Sequence, residues 1–193
     1  RTGTKYFMKL LVLAAPSGSG KTTLVHRLLG EFPTLSFSIS ATTRKPRLKE
    51  KDGVDYHFLS VINFEEKIKS KSFLEWEEVY QDNFYGSLKS DVQKHWDKGQ
   101  TVIFDIDVHG GIRLKEKYNL NTLSIFIMPP SLEVLEDRLR KRGSDSEKRI
   151  HDRLAKAKEE ISFAPNFDHI IVNDQIETAF KQIHDLVAKF IRL

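Results

Sequence analysis

Residues 10–22 have the sequence LLVLAAPSGSGKT, in which apolar side chains pass directly into a turn rich in glycine and serine. Leucines follow at positions 24, 28 and 29, the spacing of one helix face. A strand, a glycine-rich turn and a helix in this order form a phosphate-binding loop, because successive backbone N–H groups and the helix N-terminus can face one anion. The stretch therefore predicts an α/β fold that binds a nucleoside triphosphate.

The residues of this loop have separable predicted tasks. Lys21 is placed to reach the terminal phosphates, and the Thr22 hydroxyl to bind Mg²⁺. Ala15 stands where the usual pattern G-x-x-x-x-G-K-[ST] begins with glycine, which leaves open how closely the loop wraps the phosphates, because alanine disfavours positive φ. The alternative is an ordinary Gly/Ser turn before a helix. The predicted ATP-binding residues here are Ala15, Pro16, Ser17, Gly18, Ser19, Gly20, Lys21, Thr22 and Thr23.

Length and composition fit one soluble domain with a sizeable core, since the 193 residues are 39% hydrophobic and 30% charged. No apolar stretch approaches the ~20 residues of a membrane span, and no signal-peptide pattern opens the chain, so we expect a cytoplasmic protein that binds no membrane. The absence of cysteine excludes disulfides and thiolate metal sites. Because the pair Met8-Lys9 directly precedes the first apolar run, we expect residues 1–7 to be an added segment.

Five apolar runs have the length of buried strands, and helical patterns lie between several of them. The runs are residues 10–14, 35–39, 102–106, 123–128 and 169–172. Ser131 can cap a helix, and apolar residues repeat at helix spacing from 176 to 190 as a stripe that we assign to core packing. This alternation predicts a P-loop NTPase-type parallel sheet with helices on both faces.

Two regions interrupt the alternation. Residues 53–87 contain short segments and one helix near 61–69, which predicts a small, partly antiparallel lobe inserted into the α/β core. Residues 138–160 are unusually charged and place a polar loop between two helical stretches. That arrangement is typical of a mobile lid.

Phosphoryl transfer needs positioning and charge neutralisation more than covalent chemistry, so the candidate residues are cations and a carboxylate that can hold a metal. Asp105 ends a predicted strand, where it could hold Mg²⁺ through water, and Asp107 points the same way if the strand persists. The alternative is that both carboxylates cap the strand or the helix after Gly110-Gly111. Arg44 and Arg47 can grip a phosphate as planar forks, although a solvated basic loop would have the same composition.

Seven segments in order resemble the guanylate kinases and together cover nearly the whole chain. They are APSGSGKTT (15–23), SISATTRKPR (38–47), DGVDYHFLS (52–60), FLEWEEVYQDNFYGS (73–87), VIFDIDVHGG (102–111), KRGSDSEKRIHDRL (141–154) and IIVND (170–174). The resemblance implies a single domain, residues 1–193, with a core at 8–39, 88–130 and 161–193. It also implies a GMP-binding lobe at 40–87 and a lid at 131–160.

The resemblance assigns roles position by position. Those for the GMP phosphate fall on Ser40, Arg44, Arg47, Tyr56 and Tyr85. Glu75 and Ser87 match the guanine readers, and Asp107 lies close to the same nucleotide. The chemistry of Glu75 supports its role independently, because guanine presents two adjacent donors that one carboxylate can accept, and adenine has no such pair.

The charged lid and the end of the last strand supply the remaining candidates. Arg142 and Arg153 match the lid arginines of the family and join Lys21 and Arg44 as predicted catalytic residues. Arg138 and Arg149 are further candidates for the triphosphate, and we expect at least one of the four lid-region arginines to be structural. Asn173 matches the position that contacts adenine of ATP, although it also suits a turn after a strand.

These assignments predict an ATP:GMP phosphotransferase that forms ADP and GDP with Mg²⁺ as a monomer or homodimer. A kinase for another small phosphorylated acceptor is a first alternative, which Glu75 and Ser87 disfavour. A catalytically silent module that binds phosphopeptides is a second, which could dispense with Lys21 and Thr22. A nucleic-acid-binding protein is disfavoured, because no basic stripe interleaved with aromatic residues is present.

Overall fold

The structure, a computed structural model, describes residues 8–143 and 146–192. The predicted added segment 1–7, and Ser144 and Asp145 in the loop of the predicted lid, lie outside the described residues. Two compact units make up the described chain. Unit 1 contains residues 34–102 with 8 and 9, and unit 2 contains residues 10–33 and 103–192. The finer division into core, lobe and lid stays a prediction.

Strands and helices alternate along the chain much as the apolar periodicity predicts. The strands are β1 (Leu10–Ala14), β2 (Leu35–Phe37), β3 (Ser40–Thr42), β4 (His57–Phe58), β5 (Phe73–Tyr80), β6 (Asn83–Leu88), β7 (Thr101–Asp105), β8 (Thr122–Met128) and β9 (His169–Val172). The helices are α1 (Lys21–Glu31), α2 (Val61–Lys69), α3 (Lys89–Trp96), α4 (Val108–Tyr118), α5 (Leu132–Lys141), α6 (Glu147–Ser162) and α7 (Ile176–Arg192).

The larger sheet has five strands in the order β2-β7-β1-β8-β9. β1 pairs in parallel with β8, and β8 in parallel with β9. All five residues of β1 are buried, as expected of a central parallel strand that is covered on both faces and therefore has a continuous apolar sequence. The predicted P-loop-type α/β fold is confirmed, with the phosphate-binding loop between β1 and α1.

The smaller sheet, within unit 1, has the order β4-β3-β6-β5. β3 runs parallel to β4 and antiparallel to β6, which in turn pairs antiparallel with β5. The predicted partly antiparallel sheet is therefore confirmed. The predicted strand over 35–39 was wrong in its extent, because β2 ends at Phe37 and Ser40 begins a strand of the smaller sheet. An apolar run alone does not distinguish one strand from two that join different sheets.

Serine side chains cap α5 and α6, and the sequence predicts the first of these caps, at Ser131. The Ser131 hydroxyl accepts a hydrogen bond from the Val134 amide at 3.2 Å, and Ser146 caps α6 in the same way through the Arg149 amide at 3.4 Å. These caps satisfy amides that have no partner within their own helix. The final helix α7 buries Phe180, as expected for a stripe that packs on the core. Across residues 8–143 and 146–192, no helix is both long and apolar enough to cross a membrane.

Three stacked aromatic rings form the core of unit 1. Phe64 on α2 is fully buried, with its ring centroid 4.3 Å from that of Phe73 and 5.3 Å from that of Phe84. The cluster connects α2 to the two strands that carry several predicted acceptor-site residues. Packing of these rings therefore stabilises the two strands that carry the predicted GMP-binding residues.

Phe64→Ala is expected to lower the free energy of unfolding by about 3–5 kcal/mol, because it removes a buried ring and leaves a cavity. Urea denaturation followed by circular dichroism measures the change. Ile62→Ala is the matched control, since Ile62 lies on the same helix and is 68% exposed. Equal losses in the two variants would contradict the assigned core.

Candidate functional site

The phosphate-binding loop owes its shape to two glycines. Gly18 and Gly20 have φ of 93° and 87°, a left-handed conformation that other residues rarely adopt. The Ser19 amide donates to the Pro16 carbonyl at 3.1 Å and closes the turn. Among the described residues, positive φ outside glycine occurs at Lys71, Asp82 and Asn119. Ala15 is not one of them, so the backbone conformation at this position does not require the glycine of the usual pattern.

Lys21 and Asp105 form an ion pair beside this loop. Lys21 begins α1 and Asp105 ends β7, so the carboxyl edge of the sheet brings the two together as predicted. The Lys21 ammonium lies 3.5 Å from the Ile106 carbonyl oxygen as well. The side chains of Lys21 and Asp105 remain 19% and 24% exposed. A partly exposed ammonium at a phosphate loop can exchange protein oxygens for phosphate oxygens.

A cleft of about 420 Å³ opens beside the loop. Its lining residues are Gly18, Gly20, Thr23, Arg138, Asn173, Asp174 and Ile176. The buried Asn173 side chain donates from Nδ2 to the Ser19 carbonyl at 2.7 Å, and Arg138 donates to the Asn173 carbonyl at 2.9 Å. These bonds connect the end of β9 to the loop, so Asn173 helps to hold the loop in place. Its predicted contact with adenine stays a prediction.

The lid-region arginines occupy different surroundings. Arg153 on α6 donates from Nη1 to the Ser17 hydroxyl at 2.9 Å, which brings it to the phosphate loop. Arg138 reaches the loop through Asn173, as described above. Arg142 lies exposed at the C-terminal end of α5, and Arg149 lies exposed near the start of α6. The structure thus brings Arg138 and Arg153 to the phosphate-binding loop and leaves Arg142 at the surface.

Arg44 is the centre of the basic segment in unit 1. Its guanidinium donates to both oxygens of Glu50 at 2.9 Å and from Nε to the Tyr85 hydroxyl at 3.3 Å. The Tyr56 ring centroid lies 5.2 Å from Arg44 Cζ and 6.2 Å from the Tyr85 ring. Three of the predicted phosphate ligands are therefore neighbours. The Arg47 side chain is exposed, and its amide donates to Glu50 at 2.7 Å.

Glu75 and Ser87 form a buried polar pair on neighbouring strands. They are register partners in β5 and β6, and the Ser87 hydroxyl donates to Glu75 Oε1 at 2.7 Å. Glu75 is 8% exposed and Ser87 is fully buried. Ser40 is the register partner of Ser87 on the other side. A carboxylate buried in this way is costly unless donors satisfy it, and the Ser87 hydroxyl is one such donor. A ligand that presents hydrogen-bond donors could bond to the same carboxylate.

Asp107 has the role of a helix cap. Its Oδ1 accepts a hydrogen bond from the Gly110 amide at 2.7 Å, and α4 begins at the next residue, Val108. β7 ends at Asp105, so the strand does not persist as the shared orientation of the two carboxylates required. For Asp107 the capping alternative from the sequence describes the geometry. The predicted proximity of Asp107 to GMP stays a prediction.

Comparison with known proteins assigns the chain to a family. The family model described as "Guanylate kinase" matches residues 7–190. The chain belongs to the guanylate kinase family. It is 49% identical over 183 residues to a guanylate kinase of Bacteroides thetaiotaomicron, covering 95% of this chain and 90% of the relative. A guanylate kinase of Myxococcus xanthus is 49% identical over 179 residues, covering 92% of this chain and 85% of the relative.

The fold comparison agrees with this assignment. A crystal structure of guanylate kinase from Anaplasma phagocytophilum matches with a TM-score of 0.75 and 32% sequence identity. The match covers 96% of this chain and 87% of that one. The resemblance drawn from the seven sequence segments is therefore confirmed at the level of the guanylate kinase family and its fold.

The sequence did not single out two carboxylates of this guanylate kinase domain, Glu50 and Glu160. Glu50 bonds to both predicted phosphate-binding arginines, and the only signal for it was its place six residues after Arg44. Glu160 on α6 lies within electrostatic range of Lys21, and burial raises the pKa of Glu160. Its sequence context, a charged helix, contains no signal that separates it from solvated neighbours.

Proposed function

We propose that the protein transfers the γ-phosphoryl group of ATP to GMP, forming ADP and GDP. The observation that carries the choice of acceptor is the buried pair of Glu75 and Ser87. One Glu75 carboxylate can accept the ring N–H and the exocyclic amine of guanine. The Ser87 hydroxyl can rotate away from Glu75 and donate its one proton to the base carbonyl. A base without those donors would leave buried polar atoms unpaired, which can reject it by roughly 10⁴-fold. The family name of the relatives supports the same acceptor.

In unit 2, the donor nucleotide is held by the loop amides between Ala15 and Thr23. The Lys21 ammonium neutralises the phosphates, and Arg153 is close enough to the loop to add a second cation. Arg138 and Asn173 hold the end of β9 against the loop and line the adjoining cleft. Such fixed positive charges need little rearrangement during the reaction. They therefore stabilise the negative charge that is redistributed over the phosphate oxygens as the phosphoryl group is transferred.

In unit 1, the acceptor phosphate is held by Arg44 with the hydroxyls of Tyr56 and Tyr85. Ser40 and Arg47 complete the predicted set. Arginine suits this task because its guanidinium is always charged and donates hydrogen bonds to phosphate oxygens. Arg142 belongs to the proposal as a catalytic cation supplied when the lid closes, and closure would exclude water that otherwise hydrolyses ATP.

The residues beside the loop fit a magnesium ion. The exposed Thr22 offers a hydroxyl and the partly exposed Asp105 a carboxylate. Mg²⁺ prefers oxygen ligands and keeps several waters. The described residues contain no group of three or more histidine and acidic side chains able to form a protein cage for a metal. When bound with ATP, the ion would neutralise phosphate charge. The proposal therefore gives Thr22 and Asp105 the protein share of its coordination, directly or through water.

The test is the formation of ADP from ATP and Mg²⁺ with GMP, AMP, CMP and dTMP added in turn. GMP is expected to stimulate ADP formation far above the other three, because it alone matches the donors and acceptors of Glu75 and Ser87. Equal stimulation by all four would remove the guanine claim. No stimulation by any of them would contradict the kinase itself.

The proposal also includes the cellular location and the oligomeric state of the protein. A cytoplasmic location and a monomer or homodimer are carried forward from the sequence, with small nucleotides as the ligands. Size-exclusion chromatography with light scattering distinguishes the two oligomeric states.

A further inference from the structure

Glu50 is bonded more extensively than a surface carboxylate needs to be. Its two oxygens accept from Arg44 Nη1 and Nη2, both at 2.9 Å, and Oε2 also accepts from the Arg47 amide at 2.7 Å. The Glu50 amide returns a bond to the Arg47 carbonyl at 3.0 Å. Glu50 therefore fixes both the side chain of one predicted phosphate ligand and the backbone of another.

Arg44 is almost saturated by this arrangement. A guanidinium has five N–H donors; Nε bonds to Tyr85, Nη1 to Glu50 and to the Lys45 carbonyl at 2.8 Å, and Nη2 to Glu50. The Arg44 and Glu50 side chains are 19% and 17% exposed. Partners from several points of the chain thus define the plane of the guanidinium, and one Nη2 hydrogen has no partner among the described residues.

Two roles for Glu50 are physically distinct. As a rival anion, it would occupy the place of the acceptor phosphate and leave when GMP binds. As a scaffold, it would stay and hold the arginines ready. The Arg47 amide favours the scaffold, because a departing Glu50 would break the turn from Arg47 to Glu50 as well as the ion pair. The hydrogen bonds from Arg44 also lower the pKa of Glu50 to about 2, so the carboxylate stays charged even at an acidic pH that would protonate an ordinary glutamate.

We propose that Glu50 is a positioning residue that presets Arg44 and the Arg47 turn for the acceptor phosphate without touching the substrate. The inference rests on the proposed function of this site as the GMP-phosphate site. An unrestrained arginine loses rotamer freedom when it binds. Holding it in advance removes that loss from the binding step and so increases affinity.

The experiment measures GMP and guanosine binding by calorimetry, and the KM for GMP and ATP, on the full chain. The variants are Glu50→Gln and Glu50→Ala, with Glu65→Gln as the matched control, an exposed glutamate on α2 of the same unit. Glu50→Ala should weaken GMP binding roughly 10-fold or more, as loss of a charge-assisted contact does. Glu50→Gln, which keeps one acceptor oxygen, should lie between it and the wild type.

If Glu50 only stabilised the fold, its replacement would weaken the binding of all ligands. Comparison of GMP, guanosine and ATP therefore distinguishes a positioning role from a purely structural one. Guanosine affinity, the KM for ATP and the control variant should be unchanged, and the KM for GMP should rise more than kcat falls. GMP binding as tight as or tighter than in the wild type, in either Glu50 variant, overturns the proposal. If Glu50→Ala does not fold, Glu50→Gln decides alone. A wild-type protein that binds no GMP would instead contradict the proposed function.

Discussion

Lys21→Ala is expected to reduce turnover by about 10²-fold or more, the usual consequence of removing a preorganised charge from a site where charge moves. Lys21 is positioned by Asp105 and the Ile106 carbonyl at the end of β7. Alanine leaves the backbone of the loop able to bind phosphates, and so it removes the cation with little change of shape. The loss should appear in kcat as well as in the KM for ATP.

Steady-state kinetics with varied ATP at saturating GMP measures this effect. Lys181→Ala is the matched control, since Lys181 is an exposed lysine on α7 of the same unit. Because the substitution also leaves Asp105 without its ion-pair partner, thermal unfolding of Lys21→Ala should be recorded beside the kinetics. Undiminished turnover in a folded Lys21→Ala protein would show that this loop is not the catalytic site.

Glu75→Gln is expected to lower kcat/KM for GMP by about 10²-fold, since hydrogen bonds to a charged group each contribute roughly 1.5–3 kcal/mol. Glutamine keeps the size of the side chain but replaces one acceptor oxygen with an NH₂ group. That group would face a donor of guanine, and two donors cannot bond to each other. The KM for ATP should change little, because Glu75 belongs to unit 1 and the phosphate-binding loop belongs to unit 2.

Comparison of the two substrates separates recognition from damage to the fold. Glu66→Gln on α2 is the control, because it removes the same charge from an exposed position of the same unit. A large fall in kcat/KM for GMP with little change in the KM for ATP would support guanine recognition by Glu75. Equal losses for GMP and ATP would point to a disturbed fold and contradict the assigned role.

The fold was predictable wherever local pattern and tertiary structure agree. The apolar run of β1, the glycines at 18 and 20 and the helical leucines after them lie close together in sequence, so one window contains the whole phosphate loop. Glu75 and Ser87 were predictable for a different reason. The resemblance to the guanylate kinases assigned both residues, guanine chemistry supported the carboxylate, and the antiparallel register of β5 and β6 makes the two side chains neighbours.

The remaining features depend on packing that no sequence window contains. Ser40 follows β2 after a short gap, yet it joins the smaller sheet, because pairing with β6 outweighs the continuity of the apolar pattern. Asn173 is bonded to Ser19, a residue 154 positions away, and this contact gives it a part in holding the loop. Glu50 acquires its role through the shape of one turn.

We expect the γ-phosphoryl group to pass from ATP to GMP and to no other acceptor in the mixture. Anion-exchange chromatography of the wild-type reaction with ATP, GMP and Mg²⁺ measures this directly, because it separates and quantifies GDP, ADP, GMP and ATP, and a phosphate assay of the same samples quantifies inorganic phosphate. If GMP accepts the phosphoryl group, we expect ADP and GDP in equal amounts, with little inorganic phosphate. ATP consumed to inorganic phosphate with GMP unchanged would contradict it.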